Sequence, residues 1–200
     1  MKQKDIQVFD NIFPTQLVDY IEQIVLHTSQ IPFFYVHNIA TNDPSESDTF
    51  TPGLNSNVFL QESAVEFNIN WNNKIFTENK KYFSLINEIL YRAGNYNNII
   101  IEHILMARLF LHLPSPNPGP DPIHVDQDNP HSVLLYYIND SDGDTILYDE
   151  DRITEIKRVT PKKGRCILFN GLIPHCSSRP SNSSRAIINF NFLGKKLDKK

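Results

Sequence analysis

From Ile99 to Leu193 the chain breaks into short apolar runs that alternate with polar residues and are separated by Pro, Gly, Asn and Asp. Alternation with period two places successive side chains on opposite faces of a strand. Read in this way, the region predicts eight strands, at 99–113, 123–126, 132–138, 145–148, 153–159, 165–169, 174–177 and 185–193. Strands this short, joined by tight turns, bury their apolar faces by closing into an antiparallel barrel or by packing as two sheets.

The first half of the chain reads differently. Residues 6–9 predict a short strand, and Thr15 is placed to cap a helix on which Leu17, Val18, Ile21, Ile24 and Val25 recur with helical period. Residues 28–73 predict a long surface excursion with one or two short strands, in which 41–57 reads either as a lid or as an inserted loop. A second helix is expected over 78–92. Tyr82, Leu85, Ile86, Ile89 and Leu90 form its apolar stripe, Asn79, Lys80 and Asn87 its solvated face, and Gly94 its left-handed end. This describes one domain over 1–200: a helical and loop support region at 1–98, a β core at 99–193 and a frayed tail at 194–200.

Composition narrows the function classes. The chain has 200 residues, 40% of them hydrophobic and 21% charged, enough for a substantial core. A net charge of −4 argues against extended nucleic acid as the partner. The most apolar stretch is interrupted by Glu102, His103, Arg108 and His112, so no membrane span is expected. The start of the chain leads into no secretory segment, and Cys166 and Cys176 make no disulfide framework, so a soluble cytoplasmic protein is the expectation. Both thiols read as buried spectators, with Cys176 turned away from its neighbour His175.

Chemistry concentrates at four positions. In His124-Val-Asp126, alternation puts the imidazole and the carboxylate on one face, two residues apart, where both can bind one metal. His175 follows 51 residues later on a late strand. Two His and one carboxylate on one side of a metal leave three positions open, the arrangement of non-haem Fe(II) oxygenases. Ten residues on, Arg185 starts the last strand, where Arg185, Ile187, Asn189 and Asn191 share one face and Ala186, Ile188, Phe190 and Phe192 the other. An arginine inside a barrel needs an anion, and both faces of this strand are covered if it runs between barrel and helices.

This ordered set resembles the 2-oxoglutarate- and Fe(II)-dependent dioxygenases, in particular their prolyl-4-hydroxylase-like branch. Further matches are Leu135-Tyr-Tyr-Ile-Asn139, the turn and strand Asp142-Gly-Asp-Thr-Ile-Leu147, and Pro161-Lys-Lys-Gly-Arg-Cys-Ile-Leu-Phe169 leading to His175. Asp144 departs from the pattern by standing where a second glycine or a glutamate is usual. Arg185 replaces the lysine of many animal prolyl hydroxylases.

The resemblance implies a mainly β fold with packed helices: a double-stranded β-helix, or jelly roll, with two N-terminal helices. It implies Fe(II) on His124, Asp126 and His175. It also implies 2-oxoglutarate paired with Arg185 through its C5 carboxylate, and O2 as the third participant. Tyr137 matches a strand tyrosine that reaches the co-substrate, although Tyr136 takes that place after a one-residue slip. The implied reaction is hydroxylation of an unactivated C–H bond, for instance of a prolyl or other amino-acid side chain, with succinate and CO2 as co-products. Because Asp126 fills the position that family halogenases leave to halide, hydroxylation is expected over halogenation. Substrates in range are a small molecule, a peptide or a protein; a demethylase on the same iron centre, or a metal-binding jelly-roll module without turnover, are the alternatives.

On the long first strand of the β region, Met106, Arg108, Phe110 and His112 share a face. Arg108 and, on the last strand, Asn189 are candidates for the substrate or co-substrate pocket; Arg108 and His112 read equally as a solvated strip or as partners of Asp or Glu across the sheet. His27, His37, His103, His131 and Asp128 have no partner at metal-ligand spacing and are given no role.

Overall fold

The computed structural model describes residues 6–28, 30–36, 53–60 and 82–197. Ten strands and two helices are seen among them. They run β1 (Gln7–Phe9), α1 (Thr15–Glu22), β2 (Phe34–Val36), β3 (Gly53–Leu60), α2 (Phe83–Tyr96), β4 (Ile99–His112), β5 (Ser132–Tyr137), β6 (Thr145–Tyr148), β7 (Glu155–Val159), β8 (Cys166–Asn170), β9 (His175–Ser177) and β10 (Arg185–Lys196). Seven strands form the larger sheet in the order β1-β8-β5-β10-β4-β3-β2, and three form the smaller, β7-β6-β9. All pairings are antiparallel.

A fourth edge belongs to the smaller sheet in substance. Segment 115–124 runs antiparallel to 175–180 through the bonds Ser115 N–H to Pro180 O, Asp121 N–H to Ser177 O and a reciprocal pair between His124 and His175. The ladder there is discontinuous because Pro120 and Pro122 have no N–H to give. The expected strand at 123–126 is therefore corrected to a single bridge at His124, with Asp126 in a bend beyond it. The architecture is a mainly β jelly roll, two facing sheets with helices against the larger one.

The two faces of the larger sheet have separate cores. Ala186, Ile188, Phe190 and Phe192 of β10 pack with Leu134 and Tyr136 of β5 against Ile21, Ile24, Ile86, Ile89 and Leu90 of the helical layer. On the other face, Val133, Leu135, Tyr137, Ile167, Phe169 and Ile187 meet Leu147 of the smaller sheet. β10 thus lies between barrel interior and helices, as its double periodicity requires.

Several boundaries move. α1 is preceded by Pro14, and no side chain caps it; the Pro14 carbonyl accepts from Leu17 and Val18, so Thr15 is the first helical residue instead of the cap. The helix continues through a π-helical turn, Gln23–His27, which keeps both Ile24 and Val25 buried. α2 ends at Tyr96, so Gly94 lies inside it and Asn98, at φ 55, takes the left-handed position instead. Gly94 is small for a packing reason: a Cβ there meets the Ile99 carbonyl oxygen at 3.0 Å and the Ile101 side chain at 3.1 Å. Asn87, expected on the solvated face, is buried.

The described part of the expected excursion forms two short strands, as expected, and is partly buried. β2 and β3 extend the larger sheet beyond β4, and Ser56 and Val58 are fully buried. The expected lid at 41–57 lies outside the described residues up to 52 and in β3 from Gly53. The tail also begins later, since β10 pairs with β4 as far as Lys196 opposite Ile99. Residues 78–81 of the expected second helix, His37, and 198–200 lie outside the described residues. No helix among the described residues is long and apolar enough to cross a membrane.

Candidate metal centre and carboxylate pocket

The bridge between His124 and His175 brings residues 51 positions apart side by side, with ring centroids 4.8 Å apart. Each imidazole is oriented by its own chain: Nδ1 of His124 is 3.1 Å from the Pro122 carbonyl oxygen, and Nδ1 of His175 is 2.9 Å from that of Ile173. A proton on Nδ1 satisfies those contacts and leaves the Nε2 lone pair free, the tautomer a metal requires. Phe169 meets the His175 ring edge-on at 5.0 Å. Burial, ahead of every other influence, lowers the His175 pKa to about 4, which keeps it neutral.

Asp126 completes the cluster. Its Oδ1 lies 3.8 Å from Nε2 of both His124 and His175, and the three ligand atoms fall within 4.8 Å of one another. Its Oδ2 accepts from Asn189 Nδ2 at 3.0 Å and from Asn191 Nδ2 at 3.1 Å, while Asn191 also donates to Asn189 Oδ1. One carboxylate oxygen is held by the fold and the other faces the imidazoles. Burial raises the Asp126 pKa, but His175, His124 and Arg108 together with the Asn189 hydrogen bond outweigh it, so the group sits well below the ordinary carboxylate range. Two neutral nitrogens and one anionic oxygen on one side of a point form a donor set suited to a divalent transition metal such as Fe(II).

Arg185 lies deeper, level with His112 across the β10–β4 ladder. It is 2% exposed; Nη2 donates to Thr145 Oγ1 at 2.9 Å, its Nε has no hydrogen-bond partner, and no ion pair to it is present among the described residues. Tyr137 stands beside it, with the guanidinium carbon 5.9 Å from the ring centroid and the phenol donating to the same Thr145 oxygen at 2.7 Å. Thr145 Oγ1 thus accepts from both Arg185 and Tyr137 and keeps its own O–H to give, beside the unpartnered Nε of Arg185. Burial pushes the Tyr137 phenol up to about 12, so it stays protonated. A buried guanidinium with an unpartnered Nε and a free hydroxyl beside it fit a carboxylate.

The turn at 142–145 supports this pocket. A Cβ on Gly143 meets the Ser178 carbonyl oxygen at 2.8 Å and the Arg185 stem at 2.9 Å, so no larger residue fits there without movement. Asp142 accepts from the backbone N–H groups of Ser181, Asn182 and Ser183, tying down the loop that leads into Arg185. Asp144, the departure from the motif, turns outward to Arg158 at 3.5 Å and away from the metal cluster.

The four residues singled out by spacing are therefore brought together, and Tyr137 with them. Tyr136 faces the helices, edge-on to Phe13, which resolves the register. Arg108 and Asn189 pair across the β10–β4 ladder; Asn189 is buried, and Arg108 is partly exposed with its Nε enclosed. His112 is buried too, its pKa lowered to about 3 by burial, then by Arg185 and Arg179. His131 is buried under Gly171 with its Nδ1 2.7 Å from the Asn129 carbonyl oxygen, whereas His27, His103 and Asp128 are exposed. Cys166 and Cys176 are free and buried, the Cys176 thiol pointing to the Tyr148 hydroxyl. Sequence reasoning missed Asn191, Thr145 and the buried Asp121–Arg179 pair, at 3.1 Å. Shared parity with Arg185 was the available signal for Asn191; Thr145 opens an expected strand whose pattern names no partner, and Asp121 and Arg179 lie in irregular segments that carry no period.

No protein-family model matches the sequence, and no curated protein matches it. Solved structures do. A prolyl hydroxylase from Trichoplax adhaerens, crystallised with a hypoxia-inducible-factor degradation-domain peptide, superposes with TM-score 0.60 at 16% identity over 96% of this chain and 84% of its own. A Pseudomonas putida prolyl-4-hydroxylase gives TM-score 0.55 at 14% identity, covering 97% and 94%. A non-haem α-ketoglutarate-dependent carbocyclase of nogalamycin biosynthesis gives TM-score 0.60 at 8% identity, covering 96% and 83%. The chain has the fold of the 2-oxoglutarate- and Fe(II)-dependent oxygenases, the group whose motifs its sequence resembles.

Proposed function

We propose that this protein is an Fe(II)- and 2-oxoglutarate-dependent dioxygenase that hydroxylates an unactivated C–H bond. His124, Asp126 and His175 would hold the iron, and Arg185, with Tyr137 and Thr145, the C5 carboxylate of 2-oxoglutarate. The observation that carries the reading is Arg185: a buried guanidinium with an unpartnered Nε, inside the same barrel as a His/Asp/His cluster. A module that only bound metal would have no use for that cation.

When bound together, iron, 2-oxoglutarate and O2 supply the oxidation: one oxygen atom becomes the product hydroxyl, the other enters succinate, and CO2 leaves. The chain's own residues position and shelter this chemistry. Asn189 and Asn191 occupy Oδ2 of Asp126 and so reserve Oδ1 for the metal. The carbonyls of Pro122 and Ile173 fix both imidazole tautomers. Phe110, Phe169 and Ile187 keep the surroundings apolar, which strengthens the pairing of Arg185 with a carboxylate.

The test is anaerobic titration of the Fe(II)-loaded protein with 2-oxoglutarate, following the visible metal-to-ligand charge-transfer band. The expected result is a saturable band whose half-saturation rises roughly tenfold or more in Arg185→Ala, the loss of a charge-assisted pair. Metal binding with no band would overturn the reading in favour of a non-catalytic module.

A further inference from the structure

We propose that Arg108 is a second carboxylate site, and that the substrate is accordingly a small organic acid, free amino acids included, bound through its carboxylate. The inference deepens the dioxygenase reading and rests on it.

Arg108 sits on the inward face of β4, directly across the ladder from Asn189, which itself bonds Asp126. Its guanidinium carbon lies 5.1 Å from the centroid of Phe110, two residues on along the same face, so the head group is fixed against an apolar ring. Its Nε is buried with no hydrogen-bond partner, and it makes no ion pair among the described residues. The residue as a whole is partly exposed, but guanidinium does not give up its proton in proteins, so the enclosed, unpartnered N–H invites an anion arriving from the open side of the barrel. Asp126, the carboxylate acting on it among the described residues, is already committed: one oxygen to two amides, the other facing the imidazole nitrogens.

This is a different place from the Arg185 pocket. His112 is the β4 partner of Arg185, and Arg108 lies four residues back along that strand, roughly 13 Å away at the Cα atoms. Charge separates the two roles further. With Asp121 paired to Arg179, the charged side chains turned to this interior among the described residues are Asp126 against Arg108 and Arg185. Fe(II) and the 2-oxoglutarate dianion bring this to one net positive charge at the level of Arg108. A carboxylate set against Arg108 offsets it, through the net charge for a monoanion such as butyrate or glutamate and locally for a zwitterionic amino acid, whereas an internal residue of a peptide brings no such carboxylate.

The same carboxylate chemistry has one other source, the C1 carboxylate of 2-oxoglutarate, and the experiment separates the two. The anaerobic Fe(II)–2-oxoglutarate protein is titrated with L-proline, L-leucine, L-glutamate and butyrate, and with the corresponding primary amide of each. The displacement of the charge-transfer band reports binding without turnover. At least one acid is expected to bind roughly tenfold more tightly than its amide. Arg108→Gln is expected to erase that preference while leaving half-saturation by 2-oxoglutarate within about twofold, and Arg108→Lys to retain part of it. Equal binding of acid and amide, or no displacement by any acid, overturns the proposal; the acid–amide comparison is made on the unaltered protein and does not depend on a variant folding. A tenfold loss of 2-oxoglutarate affinity in Arg108→Gln overturns it by assigning Arg108 to the co-substrate. Absence of the band itself is a separate failure, that of the dioxygenase reading.

Discussion

The two faces of β10 are buried to the same degree and are put to opposite uses. On the helix side, Ala186, Ile188, Phe190 and Phe192 are at most 1% exposed and belong to a mainly apolar core. On the barrel side, Arg185, Asn189 and Asn191 are at most 5% exposed, yet Arg185 Nε and Asn191 Oδ1 find no partner. Each such orphan costs about 1–3 kcal/mol, and each fully buried Phe on the other face returns about 1.5–3 kcal/mol. Because parity along one strand divides the tasks, a substitution on one face should leave the other task nearly untouched.

The largest expected effect lies on the barrel side. Asp126→Ala removes the one anionic ligand and leaves Arg108 without its opposing charge. Turnover coupled to 2-oxoglutarate should fall by roughly ten-thousand-fold, about 5 kcal/mol in barrier terms, measured as succinate released per folded protein. Retention of a tenth of the activity would mean that the metal is held elsewhere.

The counterpart on the helix side is Phe190→Ala. Phe190 is fully buried between β10 and the helical layer, so the substitution should cost about 3–5 kcal/mol of unfolding free energy in urea titration. Fe(II) stoichiometry in the folded fraction should stay at one per chain. A folded variant that no longer bound iron would show that the two faces are mechanically coupled.

This division was legible in the sequence where it follows a period. The alternation 185–192 gave both faces of β10, and the spacing His124, Asp126, His175 and Arg185 gave the cluster, because strands convert sequence parity directly into side-chain direction. What was not legible depends on contacts without a period. Pro120 and Pro122 erase the ladder around His124, so an expected strand is a bridge and a bend. Thr145 acquires its role from two residues, 8 and 40 positions away, that aim at its oxygen. Gly94 reads as a helix terminator by type, but the close approach of Ile99 and Ile101 is what selects it.

A smaller effect sharpens the barrel side alone. Asn191→Ala removes one of the two amides on Asp126 Oδ2 and the bond to Asn189 Oδ1, while keeping every residue of the metal cluster. Partners that orient a ligand typically govern metal affinity by tenfold or more, so the Fe(II) dissociation constant, read by chelator competition, should rise roughly tenfold, about 1.4 kcal/mol. Unchanged affinity would assign the whole of the orientation to Asn189.

The smallest expected effect tests the converse, a polar group placed in the apolar layer. Asn87 of α2 is 6% exposed beside the core residues Ile86, Ile89 and Leu90, and its side-chain oxygen is buried without a partner. Among the described residues its side-chain oxygen has no partner, in contrast to Asn189 and Asn191, whose amides hold Asp126. Asn87→Leu keeps the side-chain shape, removes the orphan oxygen and adds apolar contact, so it should be neutral or stabilise the fold by up to about 1 kcal/mol in urea titration, with Fe(II) affinity unchanged. Destabilisation by more than that would mean that Asn87 serves a polar demand within the helix side, and the contrast between a purely apolar face and a polar one would then no longer hold.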